Sequence, residues 1–148
     1  TKKFHWDVVG PQFRSLHQLW EEHYKALTIN IDSLAERVRT LGFFPVGTAA
    51  GFLEYGSIKE QSDNIPLATE MVSQLVDDHE EIIRNLREHV DQAGEELGDQ
   101  GTADFLTGLM EQHEEMAWML RSFIEGESLT SDGNKPGANK VPVEAHSN

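Results

Sequence analysis

The sequence predicts an all-α protein, folded as an antiparallel helical bundle. Apolar residues recur at spacings of three, four and seven in three long segments, which is the pattern of an amphipathic helix. No segment alternates with the two-residue period of a half-buried strand. Modest connections join the segments, which favours antiparallel neighbours. The length of 148 residues suits one domain.

The first two helical segments meet at Gly10-Pro11. Residues 1–8 are predicted to be the last turns of a helix, because Gly-Pro interrupts helical backbone. The chain begins within this pattern, so we expect more of this helix upstream. A long helix is predicted over about residues 12–41, and Gly42 ends it. Its apolar stripe consists of Phe13, Leu16, Trp20, Leu27, Ile31, Leu34 and Val38.

One short helix and two long helices are predicted downstream. Thr48 is a suitable N-cap for a short helix that ends near Tyr55. A second long helix covers about residues 66–93, and a third covers about residues 102–125 after a glycine-rich loop. The inward positions of these two helices are Leu67, Met71, Leu75, Ile82, Leu86, Val90, Leu106, Leu109, Met110, Met116, Leu120, Phe123 and Ile124.

Composition narrows the function classes. Acids outnumber bases by 26 to 12, and the net charge of -14 opposes unaided binding to DNA. Cysteine is absent, so any metal site must use His, Asp and Glu. No apolar run approaches the roughly 18 residues of a membrane span. We assign residues 1–126 to the helical domain and residues 127–148 to a polar, nearly neutral tail that is a poor DNA-binding arm.

Four potential metal ligands share one edge of the first long helix. At about 100° per residue, His17, Glu21, Asp32 and Glu36 fall within an arc of about 100° beside the apolar stripe. Imidazole and carboxylate groups are suitable ligands for iron, manganese or zinc. The alternative interpretation is a solvated face that carries i,i+4 ion pairs.

The distance along the helix separates these ligands into two groups. His17 and Asp32 are 15 residues apart. That spacing corresponds to roughly 22 Å, so the two residues cannot bind one ion within a single helix. A two-fold axis near Leu27 would bring His17 of one chain against Asp32 of another and create two equivalent sites. His5 would join them if the turn at Gly10 folds it back.

Several motifs in this sequence are similar to those of a known family. They are His5-Trp6-x3-Gly10-x2-Phe13-x2-Leu16-His17, Asp32-x2-Ala35-Glu36-Arg37, Leu41-Gly42-x2-Pro45-x-Gly47-Thr48, Thr102-Ala103-Asp104 and Trp118. The chain resembles Dps, the DNA-binding proteins from starved cells, or mini-ferritins. The likeness extends to about Gly126.

This resemblance implies a ferritin-like antiparallel four-helix bundle with a short extra helix in the long connection. The first helix would then be largely missing from the given chain. The resemblance also implies a hollow dodecamer built from two-fold dimers, with an iron-oxidising site at each dimer interface. His5 and His17 would come from one subunit, Asp32 and Glu36 from its mate, and Glu21 would lie near the second iron. Trp6 matches a tryptophan beside the site.

The leading functional hypothesis is therefore a cytoplasmic ferroxidase that stores iron and protects against oxidative damage. Carboxylates stabilise Fe(III), and imidazole retains Fe(II), the substrate. The oxidant would be hydrogen peroxide or oxygen, and other divalent metals are alternatives to iron. A second hypothesis is a nucleoid-associated DNA-protecting protein with secondary iron chemistry. A third is a ferritin-like interaction module with vestigial ligands. No Glu-x-x-His pair occurs, which argues against the di-iron centre of an ordinary ferritin.

The resemblance places a channel for iron near the start of the last helix. Asp104, Asp99 and Glu95 are candidates for its lining, where repeated acids around a three-fold axis would attract cations. The alternative is that they are loop acids and that Asp104 stabilises the helix N-terminus. For Asp99 and Glu95 the alternative is favoured.

Two histidines lie within the apolar stripes of the last two long helices. In an antiparallel hairpin, His79 and His113 would differ in height by roughly 5 Å. The favoured interpretation is two separately hydrogen-bonded core histidines. A second metal site is the alternative. Trp20 and Trp118 are interpreted as core or interface aromatic residues.

Overall fold

The computed structural model describes residues 1–60 and 64–125, and this part of the chain is all-α. In chain order the helices are α1 (Lys2–Asp7), α2 (Phe13–Thr40), α3 (Ala49–Tyr55), α4 (Ala68–Asp91) and α5 (Gln100–Arg121), with a π-helical turn (Gln92–Glu96) between α4 and α5. Within these residues, no helix is long and apolar enough to cross a bilayer. The predicted tail, residues 127–148, lies outside the described part.

The helices run up and down the bundle, with one long connection. Helices α4 and α5 form an antiparallel hairpin with extensive mutual packing. The end of α2 contacts the start of α5, where Arg37 bonds Asp99, so these two helices are also antiparallel. Since α2 and α4 consequently run in parallel, the connection that contains α3 must return along the bundle. This is the connectivity of a ferritin-like bundle.

The main core lies at the end of the bundle where α1 folds against α2. The starts of α2 and α4 and the end of α5 meet there, and Trp20 is fully buried among them. Burying one such large apolar side chain stabilises the fold by about 1.5–3 kcal/mol. The members of this core are Phe4, Val8, Leu16, Trp20, Met71, Val72, Leu75, Val76 and Leu120.

The helix boundaries agree with the sequence prediction within a few residues, with one change of type. Thr48 caps α3 as predicted, because its hydroxyl accepts a hydrogen bond from the Gly51 N–H. The glycine-rich segment predicted as a loop instead begins as a π-helical turn. The Leu97 N–H bonds the carbonyl of Gln92, five residues back, so the helical path continues with one extra residue.

The second half of α2 differs more from the prediction. Ile31 and Leu34 were expected to face the bundle, but they are 64% and 41% exposed. Helix α1 is too short to cover this part of α2, and α2 packs against α5 much less closely than α4 does. The loop and short helix that follow add exposed apolar side chains, namely Phe43, Phe44, Phe52, Leu53 and Tyr55. An apolar surface of this extent is typical of a protein–protein interface.

Candidate metal centre

A tight turn brings two histidines together. Gly10 adopts a positive φ of 102°, which glycine accommodates without strain, and its carbonyl accepts the Phe13 N–H. Helix α1 therefore folds back on α2, as the sequence suggested. The rings of His5 and His17 stack with centroids 3.8 Å apart and planes 18° apart.

The two histidines hold each other through reciprocal hydrogen bonds. Nδ1 of His5 lies 2.7 Å from the carbonyl oxygen of His17, and Nδ1 of His17 lies 2.8 Å from that of His5. Because a carbonyl oxygen only accepts, each Nδ1 must carry the proton. The lone pair of each ring is then on Nε2. A donated Nδ1–H is the arrangement that orients an imidazole for metal binding.

Aromatic rings enclose this histidine pair on both sides. Phe13 stacks on His17 at 5.0 Å, and Tyr24 meets His5 edge-on at 5.1 Å. Tyr24 was not predicted as part of the site. It follows His17 by two helical turns and so occupies the same face, a signal that was available. Trp6 is 67% exposed, with the Lys2 ammonium 5.8 Å from its ring centroid.

Glu21 adds a carboxylate close to the pair. Its Oε1 accepts a hydrogen bond of 2.6 Å from Lys25. This bond and the lysine charge lower the pKa of Glu21, with smaller contributions from His5 and His17. The carboxylate is therefore ionised at neutral pH.

Asp32 and Glu36 are not brought to the histidines within one chain. Both are exposed farther along α2, as the helical spacing requires. Among the described residues, no three side chains of the metal-binding types are grouped in a way that could hold an ion. A single chain therefore presents two incomplete halves of a potential site.

The comparisons with known proteins decide the family. A ferritin-like domain model matches residues 1–129. An uncharacterized low temperature-induced protein of Nostoc is 65% identical over 97% of this chain and 80% of its own length. The DNA protection during starvation protein of Brevibacillus brevis is 42% identical over 82% of this chain and 80% of its own.

The chain belongs to the Dps family of the ferritin-like superfamily. A solved Dps structure from Vibrio cholerae, described as a member of the ferritin-like diiron-carboxylate proteins, matches with a TM-score of 0.77. It is 34% identical and covers 82% of this chain and 76% of that one. In this Dps chain the histidine pair lies near the start of α2, and the carboxylates of Asp32 and Glu36 lie farther along the same helix.

The acids near the start of α5 have different surroundings in this Dps chain. Asp99 caps α5 by accepting the Thr102 N–H, and it also bonds Arg37 of α2. Hydrogen bonds from the Thr102 side chain and backbone, followed by the effect of Arg37, lower the pKa of Asp99. The α5 helix begins at Gln100 and has no acidic residue in its first turn, so Asp99, and not Asp104 as suggested, stabilises the helix N-terminus. Asp104 and Glu95 are exposed.

The two histidines of the hairpin do meet. Nδ1 of His79 lies 2.8 Å from Nδ1 of His113 in the interior. The favoured interpretation of two separately bonded histidines is wrong, because the helix rotations turn both rings toward the same interhelical space. Trp118, for which a core or interface position was expected, is 60% exposed in the single chain.

Proposed function

We propose that this Dps chain is a ferroxidase that oxidises Fe(II) with hydrogen peroxide and stores the ferric product in a hollow homododecamer. The observation that carries the proposal is the stacked histidine pair. Its Nδ1 atoms are held by backbone carbonyls, while the carboxylates that would complete the site lie elsewhere on the same helix.

The stacking geometry favours two iron ions over one. Two imidazoles bound to one tetrahedral ion at about 2.0–2.1 Å per bond have ring centroids roughly 5 Å apart. The centroids of His5 and His17 are only 3.8 Å apart, and their planes are nearly parallel. Such rings direct their nitrogens to separate ions. Two metal ions about 3.5–4 Å apart are a common catalytic arrangement.

A second copy of the chain would supply the missing ligands. A two-fold axis near the middle of α2 places Asp32 and Glu36 of one subunit opposite His5 and His17 of its mate. The exposed apolar side chains on α2 and α3 lie on the stretch of chain that this dimer would bury. Glu21, already ionised beside the histidines, would hold the second ion.

The proposed reaction balances with the oxidant named. Two Fe(II) ions give one electron each to hydrogen peroxide, the O–O bond breaks, and two protons complete two water molecules. The carboxylates stabilise the Fe(III) that forms, because they are hard anionic donors. Consuming Fe(II) and peroxide together removes the reagents that would otherwise damage DNA.

Complementation between two inactive variants tests the shared site. We expect His17→Ala and Asp32→Ala each to abolish rapid Fe(II) oxidation and leave the assembly intact. After mixed reassembly at equal amounts, half of the dimers are hybrids, and each hybrid has one intact site and one doubly damaged site. About a quarter of the wild-type activity should return.

The rise of Fe(III) absorbance after anaerobic iron loading and peroxide addition measures this activity. Mass spectrometry must confirm that hybrid assemblies have formed. Recovery near a quarter supports the intersubunit site. No recovery in confirmed hybrids contradicts it, because a site within one subunit is damaged in every chain.

DNA protection by direct contact is the second candidate. The name of the Brevibacillus relative favours a role in DNA protection. The net charge of -14 per chain disfavours contact with phosphates, and assembly multiplies that charge. We therefore propose that protection operates through iron and peroxide removal.

A further inference from the structure

A cluster of three histidines lies inside the bundle, away from the proposed iron site. His23 of α2, His79 of α4 and His113 of α5 each contribute one ring, so the three long helices meet at this point. The residues are 3%, 3% and 8% exposed, respectively. We refer to them as the histidine cluster.

The cluster has more hydrogen-bonding groups than partners. His79 and His113 share one proton between their Nδ1 atoms, 2.8 Å apart. The ring of His23 meets that of His79 edge-on, with centroids 6.2 Å apart. Among the described residues, neither nitrogen of His23 has a hydrogen-bond partner. A buried polar group without a partner destabilises the fold, and such groups in native cores require an explanation.

Burial keeps these rings in the form that binds metals. Desolvation lowers the pKa of His79 to about 3 and that of His23 to about 4, and it also lowers the pKa of His113. At neutral pH all three rings are therefore uncharged, and each retains one nitrogen lone pair. Metal binding to a protonated imidazole would first require loss of the proton, a cost that is absent here.

The geometry points to the histidine cluster as a binding site for one borderline transition-metal cation, such as Zn²⁺ or Co²⁺. Two imidazoles on one tetrahedral ion have centroids roughly 5 Å apart. The centroids of His79 and His113 are 5.0 Å apart, with planes inclined by 55°. The His23 ring, 6.2 Å from His79, must approach by about 1 Å, consistent with Zn–N bonds of about 2.0–2.1 Å.

Binding would replace the present hydrogen bond. As the cluster stands, it does not reach the geometry of a three-ligand site within the described residues. A cation between His79 and His113 would displace their shared proton, which would move to Nε2 of the ring that carries it, and His23 would complete the set. Three histidines and one water form a recognised zinc donor set, and ionisation of that water reduces the buried charge.

The three imidazole ligands also predict which metal ions the cluster would bind. Imidazole suits Zn²⁺, Cu²⁺ and Ni²⁺, and Fe²⁺ lies below Co²⁺ and Zn²⁺ in the order of affinity for nitrogen ligands. The cluster has no carboxylate to stabilise Fe(III). It would therefore select cations other than the one proposed for the His5–His17 site, and the two sites would operate independently.

Cobalt binding in a chain that lacks the proposed iron site tests this inference. The double variant His17→Ala/Asp32→Ala is stripped with a chelator and titrated with Co²⁺. We expect one Co²⁺ per subunit, with the intense visible absorption of tetrahedral coordination, and its loss when Zn²⁺ is added. Adding His79→Leu should abolish the band. Adding His89→Leu, at an exposed position near the end of the same helix, should leave it unchanged.

One further measurement examines the cluster directly. X-ray absorption of the zinc-loaded double variant should show three nitrogen ligands and one oxygen at about 2.0–2.1 Å. This measurement does not depend on the folding of the His79 variant. Absence of bound cobalt, a band that survives His79→Leu, or a zinc shell made mainly of oxygen would each overturn the inference. None of these results depends on iron oxidation, so failure here is distinguishable from failure of the proposed ferroxidase.

Discussion

Replacing His23 by leucine is predicted to stabilise the metal-free protein. The imidazole is 3% exposed, and neither of its nitrogens has a partner among the described residues. Leucine has a similar volume and needs no hydrogen bond. Removal of the unsatisfied groups should gain about 1–3 kcal/mol. The imperfect fit of the leucine side chain should cost less than about 1.5 kcal/mol, so the free energy of unfolding at pH 7.5 should rise by about 1 kcal/mol.

The gain should grow as the pH falls. Burial depresses the pKa of His23 from 6.5 to about 4. Titration of this residue therefore leaves the free energy of unfolding unchanged above pH 6.5 and lowers it as the pH drops from 6.5 toward 4. At pH 5 the imidazole of His23 is protonated in the unfolded chain and largely neutral in the folded chain. The corresponding loss for the parent protein is about 1–2 kcal/mol, and leucine removes it.

Denaturant unfolding at fixed subunit concentration, with a chelator present, measures both effects. The free energy of unfolding of His23→Leu should exceed that of the parent at pH 7.5, and the difference should widen at pH 5. His89→Leu, at an exposed position, should change it by no more than about 0.5 kcal/mol at either pH. A loss of about 2–5 kcal/mol for His23→Leu, equal at both pH values, would show that His23 is a satisfied core residue.

Two further predictions concern iron access and DNA. We propose that Asp104 lies at a channel mouth, where an exposed acid would concentrate cations without touching the oxidation step. Asp104→Asn should therefore slow Fe(II) uptake at low iron, with the deficit shrinking at high iron. Glu95→Gln, measured alongside, shows whether the neighbouring acid shares this task; a deficit equally large at saturating iron would contradict the channel role. This chain should bind DNA no more tightly than micromolar at about 0.15 M salt without magnesium. A submicromolar gel shift under those conditions would refute the charge argument.

The bundle and the histidine pair were predictable because both depend on local spacing. The long helix was expected over residues 12–41 and runs from Phe13 to Thr40. The turn at Gly10 was sufficient to suggest that His5 returns to His17. The reciprocal hydrogen bonds were not predictable, because their acceptors are backbone carbonyls, which every residue carries. They depend on the exact height at which α1 folds back.

Other features depend on neighbours that a periodic pattern does not identify. The apolar stripe of α2 is continuous in the sequence, and nothing in it distinguishes Trp20, which is buried, from Ile31, which is exposed. The positions of His79 and His113 along their helices predicted that they lie at similar heights. The rotation of the two helices that lets these rings share a proton depends on packing along the whole hairpin. His23 was not predicted, because it lies only about 20° from Leu16, at the edge of the apolar stripe, where nothing in the pattern distinguishes it.

The hydrogen bonds of Arg37 to the start of α5 determine where this chain tolerates a change in length. Its guanidinium bonds both Asp99 and the Thr102 hydroxyl, so the first turn of α5 is held to the end of α2. A β-carbon at Gly101 would lie 3.3 Å from that guanidinium, which leaves little room for a shifted register. An inserted or deleted residue between the two hairpin helices must therefore be absorbed before Asp99. The π-helical turn over Gln92–Glu96 is already one residue wider than an α-helical turn, and it is the place where relatives of different length are expected to differ.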